Sequence, residues 1–179
     1  MFKVGSYVVY RAEGVCIVSD IRSESFGAIG KDEKYYILTP LRDEKSQVFV
    51  PMNNAELLGS MRAPLNAIEI NSIVNEIRDC RLEWINESRA RGIAFKEILA
   101  SGDVKRLAIL VNTLADKLDE IEAAGKKAGT TELNAIEKAI RSLHQEFSIN
   151  TDIASADDVI SVLRGEIALA ARTDTPCHA

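Results

Sequence analysis

Histidine is almost missing from this chain: of 179 residues only His144 and His178 carry an imidazole. One falls in a helical pattern and the other near the C-terminus, so they offer no metal-ligand spacing. Cys177-His178 adjoin, but two ligands in a tail make no site. There is no glycine-rich phosphate loop, no nucleophile elbow and no thiol paired with a histidine base in a folded segment. Paired acids such as Asp32-Glu33, Asp43-Glu44 and Asp157-Asp158 stand in turn or cap contexts, where carboxylates serve local hydrogen bonds. These absences point away from an enzyme, and no cofactor or metal is expected. Cysteine is sparse as well. Cys16, Cys80 and Cys177 are odd in number and far apart, the pattern of reduced thiols in a cytoplasmic protein. No apolar run can span a bilayer, and the first residues lack the basic-then-apolar order of a signal peptide, so no membrane partner is expected.

Positive charge is the last thing in short supply. A net charge of −5 argues against a coat held on nucleic acid by basicity alone. Residues 113–179 hold 7 basic and 12 acidic side chains, whereas residues 61–112 hold 8 and 7. Within that middle block Arg89, Arg91, Lys96, Lys105 and Arg106 face only Glu97 and Asp103. The stretch reads either as a phosphate-facing zone or as an ordinary solvated helix face.

What the chain does have is a core: 46% of its residues are hydrophobic. Phe2 to Tyr10 runs through a Gly5-Ser6 turn into β-branched and aromatic residues, and Gly14 opens a second strand from Val15 to Ile21. Tyr35 to Leu38 and Gln47 to Val50 read as further strands, the last ended by Pro51. Near residue 60 the apolar period changes to three and four. Asn66 with Glu69 forms a capping box ahead of Ile70, Ile73, Val74 and Ile77. The pattern predicts helix from Leu82 to Leu99 with Gly92 as a weak point, then a Ser101-Gly102-Asp103 joint. An amphipathic stripe follows from Val104 to Ile121, then a Gly125–Gly129 break and a helix carrying Leu133, Ile136, Ile140, Leu143 and Phe147. Ser155 with Asp158 caps a last helix reaching Ile167. The expected fold is α+β in two modules: a small Tudor- or SH3-like β-barrel over residues 1–60, an all-α bundle over 66–172, and a tail at 173–179.

The ordered series Phe2, Val4-Gly5, Val8-Val9-Tyr10, Gly14, Tyr35 to Leu38, Val50-Pro51, Asn53, Gly59 and Arg62 resembles the RNA polymerase-interacting module of the bacterial CarD/CdnL family of transcription factors. Similar modules occur in transcription-repair coupling factors. Ser6 stands where an Asp is usual, and Arg11-Ala12-Glu13 replaces a Pro-x-His-like stretch. In the second half, Trp84, Arg89 with Arg91, and Leu99 to Val104 are similar to the family's helical domain, to about residue 148.

The resemblance implies a transcription regulator that docks a sheet edge on the RNA polymerase β subunit by strand addition. The matching positions are Glu24, Phe26 and Phe49, where relatives can carry Arg at the first and last. Since Val48 and Val50 flank Phe49, either Phe49 or the valine pair points outward. Trp84 also has two readings: an amphipathic aromatic packing two helices, or a wedge at the upstream edge of the promoter bubble. The resemblance implies the wedge, exposed on a face shared with some of Arg81, Arg89 and Arg91, which would bind DNA. In some relatives Trp84's counterpart lies one turn nearer the Ser101 position, ~5 Å along a helix axis. A free monomer that stabilises the open promoter complex is the leading expectation. The alternatives are a polymerase-docking adaptor that recruits another protein through its acidic helices without touching DNA, and a small enzyme whose site the sequence does not disclose.

Overall fold

The computed structural model describes residues 1–24 and 33–172. They divide into two compact units, Met1–Pro64 and the residues from Leu65 on. The first unit is an antiparallel sheet of β1 (Tyr7–Tyr10), β2 (Gly14–Glu24), β3 (Glu33–Pro40), β4 (Val48–Pro51) and β5 (Met61–Arg62), with a short helix α1 (Ala55–Gly59). The strands lie in the order β4-β3-β2-β1-β5. Strand alternation puts Val8, Tyr10, Cys16, Val18, Tyr36, Leu38, Val50 and Met61 in one cluster on one face. Ser19 is an extra residue in β2, where the register with β3 shifts. Its hydroxyl donates to the Ile37 carbonyl at 2.9 Å, which satisfies an acceptor at the bulge.

Both departures from the family pattern fall in turns. The Ser6 hydroxyl accepts from the Lys3 N–H at 3.3 Å. Arg11–Glu13 forms a single 3-10 turn closed by Gly14 at φ 71°. Arg11 itself takes φ 44°, a left-handed conformation uncommon for a side chain of that size. Its guanidinium is anchored by Nε donation to the Ser60 hydroxyl at 3.0 Å.

No ladder joins β4 to β5 among the described residues, so the sheet is open where a closed barrel was expected. β5 is only two residues long. The chain between the two edges forms α1, which lies against both β4 and β5 and gives Leu57 and Leu58 to the core.

The second unit contains α2 (Ala67–Ile77), α3 (Ser88–Ser101), α4 (Val104–Ala123), α5 (Thr130–Asn150) and α6 (Asp158–Leu163). The capping box at α2 is present: the Asn66 side chain accepts from Glu69 N–H at 3.0 Å, and Glu69 accepts from Asn66 N–H at 2.8 Å. Gly102 ends α3 at φ 63°, which lets the chain reverse into α4 where Asp103 caps the new helix. α4 packs against α2, α3, α5 and α6. Its buried set is wider than the stripe in the sequence, because Leu110, Asn112, Thr113 and Ala115 are enclosed too. α5 buries Ile136, Leu143 and Phe147 as the period predicts, while Leu133 is 46% exposed.

Two helical expectations are corrected. Residues 79–87 are not helical; α2 ends at Ile77 and α3 starts only at Ser88. Other elements take this segment's backbone groups: Leu82 N–H donates to the Thr113 hydroxyl at 2.9 Å, and Arg91 Nη1 donates to the Ile85 and Asn86 carbonyls at 2.7 and 3.0 Å. Groups satisfied in this way need no helix. The last helix is also shorter than expected. The Ser155 N–H and hydroxyl both donate to Asp158, but α6 stops at Leu163 and Gly165 turns the chain at φ 74°. Ile167 is 41% exposed, and Ala171 instead pairs with Thr151 in an isolated bridge.

Candidate functional site

On the sheet, residues directly opposite one another share a face. Phe49 stands opposite Ile37, Ile37 opposite Asp20, Tyr35 opposite Arg22, and Glu33 opposite Glu24. Glu24 and Phe49 therefore lie on one face of the sheet, with Glu33, Tyr35 and Ile37 between them. Val50 is fully buried and Val48 packs on the core, so the valine pair points inward and Phe49 outward. Phe49 packs edge-on against Tyr35, ring centroids 6.4 Å apart. Arg22 Nε donates to Glu24 at 2.5 Å, and Asn53 Nδ2 donates to Glu33 at 2.9 Å. Desolvation, reinforced by the neighbouring Glu33 carboxylate, raises the Tyr35 phenol above its ordinary pKa. β4 pairs with β3 on one side and forms a sheet edge on the other among the described residues. Phe26 lies outside the described residues.

Trp84 sits in the irregular segment before α3, partly buried against the helical core. It is less exposed than a free-standing wedge, and the one-turn displacement reckoned along a continuous helix has no meaning there. Arg91 and Trp84 form a close pair, the guanidinium carbon 4.7 Å from the ring centroid; Lys117 Nζ lies 5.5 Å from it. Arg91 also forms a buried ion pair with Glu132, Nη2 to Oε1 2.6 Å, with side chains only 12% and 7% exposed. Arg81 Nε donates to Asp116 at 2.6 Å, and its Nη1 to the Arg78 and Cys80 carbonyls. Asp116 and Asp119 in turn hold Arg164 from the end of α6. Two arginines thus pin the Trp84 segment, Arg81 to α4 and Arg91 to α5.

The three candidate arginines are therefore not equivalent. Arg81 and Arg91 are engaged with carboxylates and carbonyls. Arg89 is exposed and has no ion-pair partner among the described residues. Two residues apart on a helix, Arg89 and Arg91 project ~200° from one another, so Arg91 meets Trp84 while Arg89 enters a groove between α3 and α5. Of the other cations in the basic stretch, Lys105 Nζ pairs with Glu76 at 2.6 Å. Sequence reasoning missed Lys117 and Glu132. Glu132 carried a signal, an acid in the first turn of α5 that belonged to the acidic final block.

Residues 2–63 match the family described as the CarD-like/TRCF RID domain. The first unit is a CarD-like/TRCF RID domain. It is a polymerase-interacting domain, and the match supports an RNA polymerase-interacting role for the chain. The RID match ends where the first compact unit ends, before α2. No curated protein matches the chain. Among the described residues, no helix is long and apolar enough to cross a membrane.

Proposed function

We propose that this chain is a non-enzymatic regulator of transcription initiation, which docks on the RNA polymerase β subunit through its RID domain and stabilises the open promoter complex through Trp84. The carrying observation is the RID match over residues 2–63 in a chain whose helical unit pins its single tryptophan between two arginine clamps. The β4 edge and the Phe49 face supply the docking surface: backbone groups of the edge give affinity, and Phe49 and Glu24 give selectivity. Trp84 supplies a flat apolar ring for the unstacked base step at the upstream edge of the bubble. Arg81 and Arg91 are positioning residues, acting through the segment they hold. Contacts to DNA are few and the chain is acidic, so free protein binds duplex weakly. Docking makes the DNA contact effectively intramolecular, and weak contacts then suffice. The protein acts as a cytoplasmic monomer without a cofactor.

The test is the lifetime of a promoter open complex formed by purified polymerase, with and without the full chain. The wild type lengthens it, and Phe49→Asp needs roughly tenfold more protein for the same effect, a docking loss of ~1.4 kcal/mol. An unchanged lifetime despite firm polymerase binding contradicts the proposal and favours the adaptor.

A further inference from the structure

The groove between α3 and α5 measures about 760 Å³ and is used neither by the Trp84 segment nor by the sheet face. We infer that it docks an acidic, amphipathic helical segment of a partner protein. Arg89 and Lys96 line it from α3 and Lys138 from α5. All three are exposed and none has an ion-pair partner among the described residues. Glu87, the one acid lining the groove among the described residues, is already committed. Its carboxylate accepts from the Ala90 and Arg89 N–H groups at 2.5 and 2.8 Å, and these bonds hold it below the usual carboxylate range. The groove therefore carries excess positive charge in a chain whose total is −5.

The floor chooses between polyanion and peptide. Ile93 lines the groove at 52% exposure, beside the partly buried Leu99. Gly92 leaves space next to it: a Cβ there would come within 3.6 Å of Thr131 Cγ2, ordinary contact distance. A phosphodiester backbone would satisfy the three cations and leave Ile93 in water, whereas an aliphatic side chain flanked by carboxylates satisfies both. Arg89 and Lys96 are two turns apart, ~10 Å along the axis, which matches acids two turns apart on an incoming helix with its apolar anchors between them. Since Arg89 projects away from Arg91, the groove can be filled while Trp84 is engaged. This recruitment surface is independent of the initiation role.

The full chain is titrated, by fluorescence anisotropy, into a labelled helical peptide with glutamates two turns apart and leucines between them. A scrambled peptide of identical composition and an oligo-dT strand serve as comparisons. The ordered peptide binds in preference to the scrambled one. Lys96→Glu with Lys138→Glu weakens it roughly tenfold or more, Ile93→Ser weakens it even in high salt, and Trp84→Ala changes nothing. Circular dichroism checks that these surface variants keep their helix content. Equal binding of both peptides, no binding, or displacement by oligo-dT together with an inert Ile93→Ser overturns the proposal, the last result marking a polyanion site.

Discussion

Arg91→Ala separates a structural clamp from a phosphate contact. Arg91 Nε and Nη2 donate to Glu132 Oε1 at 2.8 and 2.6 Å, Nη1 caps two carbonyls of the Trp84 segment, and the guanidinium lies against the indole. Truncation leaves the Glu132 carboxylate, 7% exposed, with no counter-charge. Removing one member of a buried pair typically costs ~3–5 kcal/mol. The carbonyl bonds and ring contact are part of the same loss, so they are not added. Against a total of ~5–15 kcal/mol for a domain, this is a large fraction, and the urea midpoint should fall by on the order of 2 M. Trp84 is the sole tryptophan, so its emission follows the same perturbation and shifts red as the segment loosens. Arg91→Ala with Glu132→Ala should cost less than the summed singles, because the orphan charge is gone. The double-mutant cycle is read by urea denaturation. A loss below about 1 kcal/mol, the range of an exposed pair, with unchanged Trp84 emission, refutes the clamp.

Asn112 is 2% exposed in the middle of α4, and its Nδ2 and Oδ1 have no hydrogen-bond partner among the described residues; Asn112→Leu should stabilise by ~1–3 kcal/mol in thermal or urea unfolding. Burial, helped by Glu13, pushes the Cys16 thiol up to about 11. In a Cys80→Ser, Cys177→Ser background it should stay unlabelled by thiol reagents at pH 8 until the protein unfolds. The unfolded thiol ionises near 9.0 and the folded one near 11, so this group's contribution is whole below pH 9 and is lost as pH rises through that window, which unfolding at stepped pH measures. Gly165→Ala should destabilise by about 1–2 kcal/mol, since φ 74° strains a side chain and the new Cβ meets the Arg78 guanidinium; Gly165→Asn, more tolerant of that conformation, should cost less in the same unfolding assay.

The strands and most helices were legible because period and punctuation agree. Asn66 and Glu69 announced α2, and Gly102-Asp103 announced the α3–α4 joint. Trp84 was misplaced for a physical reason. The sequence around Trp84 is compatible with helix, and the groups that hold its segment, Thr113, Asp116 and Glu132, lie 29, 32 and 48 residues beyond Trp84. Glu87, an acid of middling cap preference, also marks the start of α3 less clearly than Ser or Asp would. For the arginines, charge counting gave number and not direction. Only the folded chain tells Arg91, facing Glu132, from Arg89, facing a groove. Barrel closure was equally invisible, because it depends on whether β5 reaches β4, and β5 is two residues long.

The most direct test is open-complex lifetime with Trp84→Ala. Trp84 is only partly buried, so the variant should stay folded, losing well under the ~3–5 kcal/mol of a core aromatic truncation, and should still co-elute with polymerase. The lifetime extension given by the wild type should largely disappear, while Trp84→Phe keeps part of it. A folded, polymerase-bound Trp84→Ala that extends the lifetime as fully as the wild type contradicts the account.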